Sequence, residues 1–173
     1  MTARHIALVG LMGAGKSTVG RALADRLGRE FADTDDLIEA AVHCTVREYF
    51  ASSGERAFRD LEGVVLDVAL GVTAPGVIGC GGGIVTTAGN RQLLRDGRAF
   101  VVWLRALPEV LGARLASATD RPLLDGDRAA RLAILAAERE QWYGEVADAT
   151  VEVDARDVAG VVDAALEAVG VAA

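Results

Sequence analysis

The chain has 173 residues, 51% of them apolar and 25% charged, with 20 glycines, two cysteines and two histidines. This is enough apolar chain for one domain with its own core, and it excludes a disordered chain, a disulfide scaffold and a Cys/His zinc site. Eighteen basic against 25 acidic residues leave a net charge of −7, the wrong sign for a protein that grips nucleic acid.

An apolar run at 6–9 reads as a strand, and a glycine loop and a helix over 17–27 follow it. Arg4 followed by residues 6–15 could pass for a short signal peptide, but the apolar run stops at Lys16, and a phosphate loop accounts for every residue better. A second strand is expected around 30–32, then helices over 36–42, 46–51 and 55–70. Residues 77–78 form a brief strand before a glycine run, and 100–104 is the clearest strand of all. Pro108 opens a helix through residue 115, since proline suits a first helical turn. A long helix over 127–143, a strand at 150–153 and a helix over 158–169 complete the pattern. Strands alternating with helices predict an α/β fold, a parallel sheet covered on both faces. Residues 116–126 carry Arg121-Pro122 without apolar periodicity and read as a loop, mobile enough to act as a lid. The longest uncharged stretch, 68–90, is broken by Pro75 and by glycines and is no membrane span. These features predict a cytoplasmic protein with neither a membrane nor a nucleic-acid partner.

Gly10-Leu11-Met12-Gly13-Ala14-Gly15-Lys16-Ser17 matches G-x-x-x-x-G-K-[ST] between a strand and a helix. Glycines let the backbone curl so that successive N–H groups face phosphate oxygens, and the helix N-terminus adds its positive end. Lys16 would reach the β- and γ-phosphates and Ser17 would ligate Mg²⁺. Lys16 is also the only lysine beside seventeen arginines, so a compact ammonium occurs only where the loop needs one. The loop predicts a nucleoside triphosphate site. Asp60-Leu61-Glu62-Gly63 spells the DxxG of GTPases but falls inside a predicted helix, and a guanine-reading NKxD is impossible without a second lysine. The strand 100–104 ends in Arg105, where a motor ATPase would place a carboxylate. A small kinase is left.

Asp33-Thr34-Asp35, Gly54-Glu55 with Phe58-Arg59 and Glu62, Gly81-Gly82-Gly83, and Arg121-Pro122-Leu123-Leu124 follow in order along the chain. Together with the phosphate loop they resemble the shikimate kinase family over nearly the whole length. The resemblance implies a single domain over 1–173 with a three-layer αβα P-loop kinase fold and a five-stranded parallel sheet of order 2-3-1-4-5. The acceptor segment would span about 33–62 and the lid about 116–126. It implies transfer of the γ-phosphoryl group of ATP to the 3-hydroxyl of shikimate, with Mg²⁺, by a monomer.

The same resemblance suggests roles. Gly13, Ala14, Gly15, Lys16, Ser17 and Thr18 would hold the nucleotide phosphates, with Arg114 stacked on adenine and Arg121 closing on the phosphates with the lid. Asp35 would bind the ring hydroxyls and accept a proton; the sequence also allows it to be the N-cap of the next helix. Asp33 would hold Mg²⁺ through water, or serve as a turn aspartate. Arg59 and Arg139 would bind a carboxylate, since a planar guanidinium suits it, although Glu138-Arg139-Glu140 also reads as a solvated helix face. Glu62, three residues beyond Arg59, would orient it. Gly81, Gly82 and Gly83 would admit the substrate to the backbone, or form a hinge. Arg114 could equally be an exposed helix arginine. Trp103, Trp142 and Tyr143 read as packing residues, and Cys44 and Cys80 as small buried or half-buried fillers. The sequence departs from the family where Val153-Asp154-Ala155 is followed by no proline, and at Gly144-Glu145, where an arginine is common. A kinase for another small polyol such as gluconate, and a nucleotide-binding regulator without catalysis, are the alternatives.

Overall fold

The computed structural model describes residues 4–116 and 128–170. Among them, five strands form one parallel sheet in the order β2-β3-β1-β4-β5, built from β1 (His5–Val9), β2 (Phe31–Asp33), β3 (Val77–Gly79), β4 (Ala99–Arg105) and β5 (Ala149–Glu152). The central strand β1 is buried along its whole length, as expected of a parallel strand with helices over both faces. Helices α1 (Lys16–Leu27) and α7 (Val158–Val169) pack together. So do α3 (Val46–Leu70), α4 (Ala88–Arg95) and α6 (Arg128–Val146), with α5 (Pro108–Ala116) against α6. The fold and strand order agree with expectation.

Register decides where chemistry can occur. Leu8 lies beside Gly79, and Gly79 beside Asp33, so the carboxyl ends of β1, β3 and β2 reach one edge together. Chains that reverse their strand order around a central strand bind ligands at that edge. Here the edge receives the phosphate loop after β1, the Asp33-Thr34-Asp35 corner after β2 and the glycine run after β3.

The main core joins β1, β3 and β4 to α1, α6 and α7 through residues such as Ile6, Leu23, Leu104 and Leu166. A second apolar cluster of Ile38, Phe58 and Val65 belongs to α2 (Thr34–Val42) and α3. It gives the acceptor segment a base of its own. A capping box starts α3: the Glu48 N–H donates to Thr45 Oγ1 at 3.2 Å, and the Thr45 N–H donates to Glu48 Oε2 at 2.9 Å.

Several boundaries differ from expectation. The break predicted between two helices at 51–55 is a kink inside α3, where Gly54 takes φ 83° and ψ 168°. Helix α2 begins at Thr34, so its cap is Asp33, whose carboxylate accepts the Asp35 N–H at 3.0 Å. Asp35 lies in the first turn and is not the N-cap. Helix α4 and a 3₁₀ turn at Ile84–Thr86 were not expected. Cys80 is buried and Cys44 half-buried, and both are free, as expected of fillers.

Candidate active site

The phosphate loop follows from its glycines. Gly10, Gly13 and Gly15 take φ of 145°, 84° and 89°, which side chains rarely tolerate. At Gly10 a Cβ would also lie 2.5 Å from the Leu104 carbonyl oxygen. Gly15 caps α1 with no side-chain partner, and no acidic residue occupies the first turn. The donors of that turn and the positive helix end are therefore kept for an external anion. Lys16 Nζ donates to the Gly10 and Leu11 carbonyls at 2.8 and 2.9 Å, which holds the ammonium over the loop.

Ser17 Oγ donates to Asp33 Oδ2 at 2.6 Å, so β2 and the start of α1 converge on one pair of hard oxygens. Asp33 caps α2 with one oxygen, as the turn reading expects, and accepts the Ser17 hydroxyl with the other. No group of three or more His, Cys, Asp or Glu that could hold a metal occurs among the described residues. Two oxygens from the chain suit Mg²⁺, which takes a carboxylate or two and completes its shell with phosphate oxygens and water.

The acceptor side gathers six of the expected residues, Asp35, Arg59, Glu62, Gly81, Gly82 and Arg139. A side chain added at Gly81 would meet Asp35 Oδ1 at 2.9 Å and Glu62 Oε1 at 3.2 Å, so both carboxylates converge on that glycine. Arg59 Nη1 donates to Glu62 Oε2 at 2.8 Å, and the Glu62 side chain is only 1% exposed. Burial pushes the Glu62 carboxyl above its usual range; the Arg59 guanidinium pulls it back and Asp35 adds to the rise. Arg59 is thus fixed by a buried partner. Arg139 is half-buried, and its Nη1 donates to the Gly82 carbonyl at 2.9 Å, while Glu138 and Glu140 beside it are exposed. The solvated-face reading of Arg139 fails because the glycine run lies against that side of α6.

Arg114 is half-buried and donates to the Val153 carbonyl at 3.0 Å, so it is not an exposed helix arginine. The Leu107 N–H donates to the Asp154 carboxylate at 3.0 and 3.2 Å, which ties the segment after β5 to the start of α5. Arg121 lies outside the described residues, as does the expected lid over 116–126 apart from residue 116.

The family model described as shikimate kinase matches residues 12–170. The chain belongs to the shikimate kinase family. The shikimate kinase of Symbiobacterium thermophilum is 46% identical over 167 residues, covering 94% of each chain. That of Halorhodospira halophila is 47% identical over 152 residues, 87% of this chain and 85% of its own. The solved shikimate kinase from Acinetobacter baumannii in complex with shikimate matches with a TM-score of 0.90 and 38% identity, over 97% of this chain and 93% of that one. A gluconokinase from Sinorhizobium meliloti 1021, at 23% identity and a TM-score of 0.70, shares the fold. Shikimate kinase membership makes the chain an ATP-dependent kinase that works with Mg²⁺.

Two residues at this site were not expected there. Thr34 is fully buried, and its Oγ1 accepts the Gly81 N–H at 2.9 Å. Tyr143 stacks on Trp103 with ring centroids 5.5 Å apart, which agrees with a packing role. Its hydroxyl also donates to the Gly82 carbonyl at 2.6 Å. The spacing of Tyr143 from Arg139, one helical turn, was the available signal; it gains meaning only once α6 is known to face the glycine run.

Proposed function

We propose that this chain transfers the γ-phosphoryl group of ATP to the 3-hydroxyl of shikimate, giving shikimate 3-phosphate and ADP on the route to chorismate and the aromatic amino acids. One observation carries the reading: a triphosphate loop and a site with two arginines and the Asp35 and Glu62 carboxylates share one sheet edge in a chain of this family. Arginines suit the carboxylate of the acceptor, and Asp35 suits its hydroxyls.

In the transfer, the acceptor oxygen bonds to the γ-phosphorus while the bond from that phosphorus to the β–γ bridging oxygen breaks. The hydroxyl proton passes to Asp35. The loop N–H groups of Gly13, Ala14, Gly15, Lys16, Ser17 and Thr18 hold the phosphates, and Lys16 exchanges its two carbonyl partners for phosphate oxygens. Ser17, and Asp33 through water, would hold Mg²⁺, which would supply positive charge to neutralise the phosphate oxygens. Arg59 and Arg139 fix the carboxylate of shikimate, and the N–H groups of Gly82 and Gly83 face the acceptor. Arg114, tied to Val153, flanks the adenine, and Arg121 reaches the phosphates from the lid at 116–126. Positioning and charge stabilisation are most of the catalysis such a reaction needs.

The domain is read as one unit over 1–173, cytoplasmic and acting as a monomer. Among the described residues no helix is long and apolar enough to cross a membrane. The test is ADP release in a coupled assay with MgATP, comparing shikimate, its 3-deoxy analogue, gluconate and no acceptor. Turnover with shikimate and none with the 3-deoxy compound is expected. Turnover with gluconate alone would overturn the acceptor, and none with any acceptor would overturn the kinase reading.

A further inference from the structure

The glycine run after β3 is held by its carbonyls. The Gly81 carbonyl accepts the Ile84 N–H at 3.0 Å, and the Gly83 carbonyl accepts both the N–H and the hydroxyl of Thr86, at 3.0 and 2.7 Å. The Gly82 carbonyl accepts two side-chain donors from α6, Arg139 Nη1 at 2.9 Å and Tyr143 Oη at 2.6 Å. The Gly81 N–H goes to Thr34. The N–H groups of Gly82 and Gly83 take no acceptor among the described residues. Every carbonyl of the run is thus turned back into the protein, and two donors are kept for something else.

A trans peptide is planar, so the Gly83 N–H points opposite to the Gly82 carbonyl. Whatever fixes that carbonyl on α6 aims the Gly83 N–H away from α6. Arg139 alone is a poor anchor, because a guanidinium that also serves a carboxylate changes partners when the acceptor arrives. Tyr143 has no such second task. It is 1% exposed and stacked on Trp103; its single O–H goes to the Gly82 carbonyl, while the phenol oxygen accepts from Arg139. Gly82 packs against the phosphate loop as well: a Cβ there would lie 3.3 Å from the Met12 nitrogen and 3.5 Å from the Gly10 oxygen.

We propose that Tyr143 is a positioning residue for the acceptor, its hydroxyl locking the Gly82–Gly83 peptide so that the glycine N–H groups are presented to shikimate while Arg139 is released to bind the carboxylate. This rests on the shikimate kinase reading above. Burial holds the phenol well above its usual range, so the hydroxyl stays a donor wherever the enzyme works.

The test is Y143F, which keeps the ring and its stacking and deletes only the hydroxyl. The expected result is a shikimate KM raised about three- to tenfold, the worth of one neutral hydrogen bond, with kcat and the MgATP KM within about twofold. In ¹⁵N–¹H spectra the Gly83 amide should move and the Gly81 amide should not. An unchanged shikimate KM, an equal rise in both KM values, or a fixed Gly83 resonance overturns the proposal. If wild type fails to turn over shikimate, the functional reading falls, and the Gly83 resonance still decides the part played by the hydroxyl. If Y143F does not fold, 3-fluorotyrosine incorporated in a Tyr49→Phe background makes the Tyr143 hydroxyl a stronger donor. The shikimate KM should then fall, and an unchanged value overturns the proposal.

Discussion

Lys16 and Glu62 are charged groups in opposite settings, one on the rim of the phosphate loop and one buried in α3. Lys16 is half-exposed and lies on loop carbonyls, so removing it costs little packing. Lys16→Ala should lower kcat at least about a hundredfold, the usual cost of losing one donor to developing charge, with an unchanged circular dichroism spectrum. Near-native turnover would remove Lys16 from the chemistry. Glu62 behaves differently, because burial raises its carboxyl while Arg59 opposes the rise. A carboxyl raised in the folded state favours folding in its protonated form. Its contribution is therefore full below the usual carboxylate range and is lost as pH climbs through the raised value. Glu62→Gln lacks that loss, so its stability relative to wild type should improve from pH 4 to pH 7 in urea unfolding. A difference that stays flat or runs the other way would refute the assignment. The Gln variant should still bind shikimate less well, since a neutral amide holds Arg59 more weakly than a carboxylate.

Among the elements, the glycine run gives the sharpest test of how loops set the site. Gly83 has φ −94° and ψ 0°, a conformation open to alanine, yet an added Cβ would lie 2.6 Å from Arg59 Nη2. Gly83→Ala should displace the Arg59 guanidinium, raising the shikimate KM about tenfold with the MgATP KM within twofold; equal effects on both would point to loop collapse instead. The need for glycine here comes from a neighbour in α3, which the sequence does not reveal. The phosphate loop was legible because its glycines answer a local backbone demand at fixed spacing, and the strands because apolar runs mark them. The order of the strands came through the family resemblance. Helix α4 was missed because its sequence, AGNRQLLR, is short and polar, and its place depends on Leu94 meeting the core. The α2 start was misread because Asp33 and Asp35 are both good caps, and only the end of β2 at Asp33 decides between them. Thr34 and Tyr143 were beyond reach, since their partners lie 47 and 61 residues away.

At the scale of the molecule, the acceptor segment poses a question of cooperativity. It has a separate apolar cluster of Ile38, Phe58 and Val65, which alone could let α2 and the first half of α3 loosen independently. Three contacts argue otherwise. The Thr34 hydroxyl meets the Gly81 backbone, the Ser17 hydroxyl at the start of α1 donates to Asp33, and Leu66, Ala69 and Leu70 carry the second half of α3 into the main core. The chain should therefore melt in a single transition that either substrate shifts, as expected of one cooperative domain. At a hundredfold excess over its Kd, MgATP adds about 2.7 kcal/mol, which for a chain of this size is a rise of about 5–11 °C in Tm. Lys16→Ala should lose most of the MgATP shift and keep the shift from shikimate, because the acceptor residues are untouched. Two transitions by calorimetry, or a shikimate shift confined to one of them, would show that residues 33–62 form a separate unit and that their coupling to the phosphate loop arises only with substrate bound.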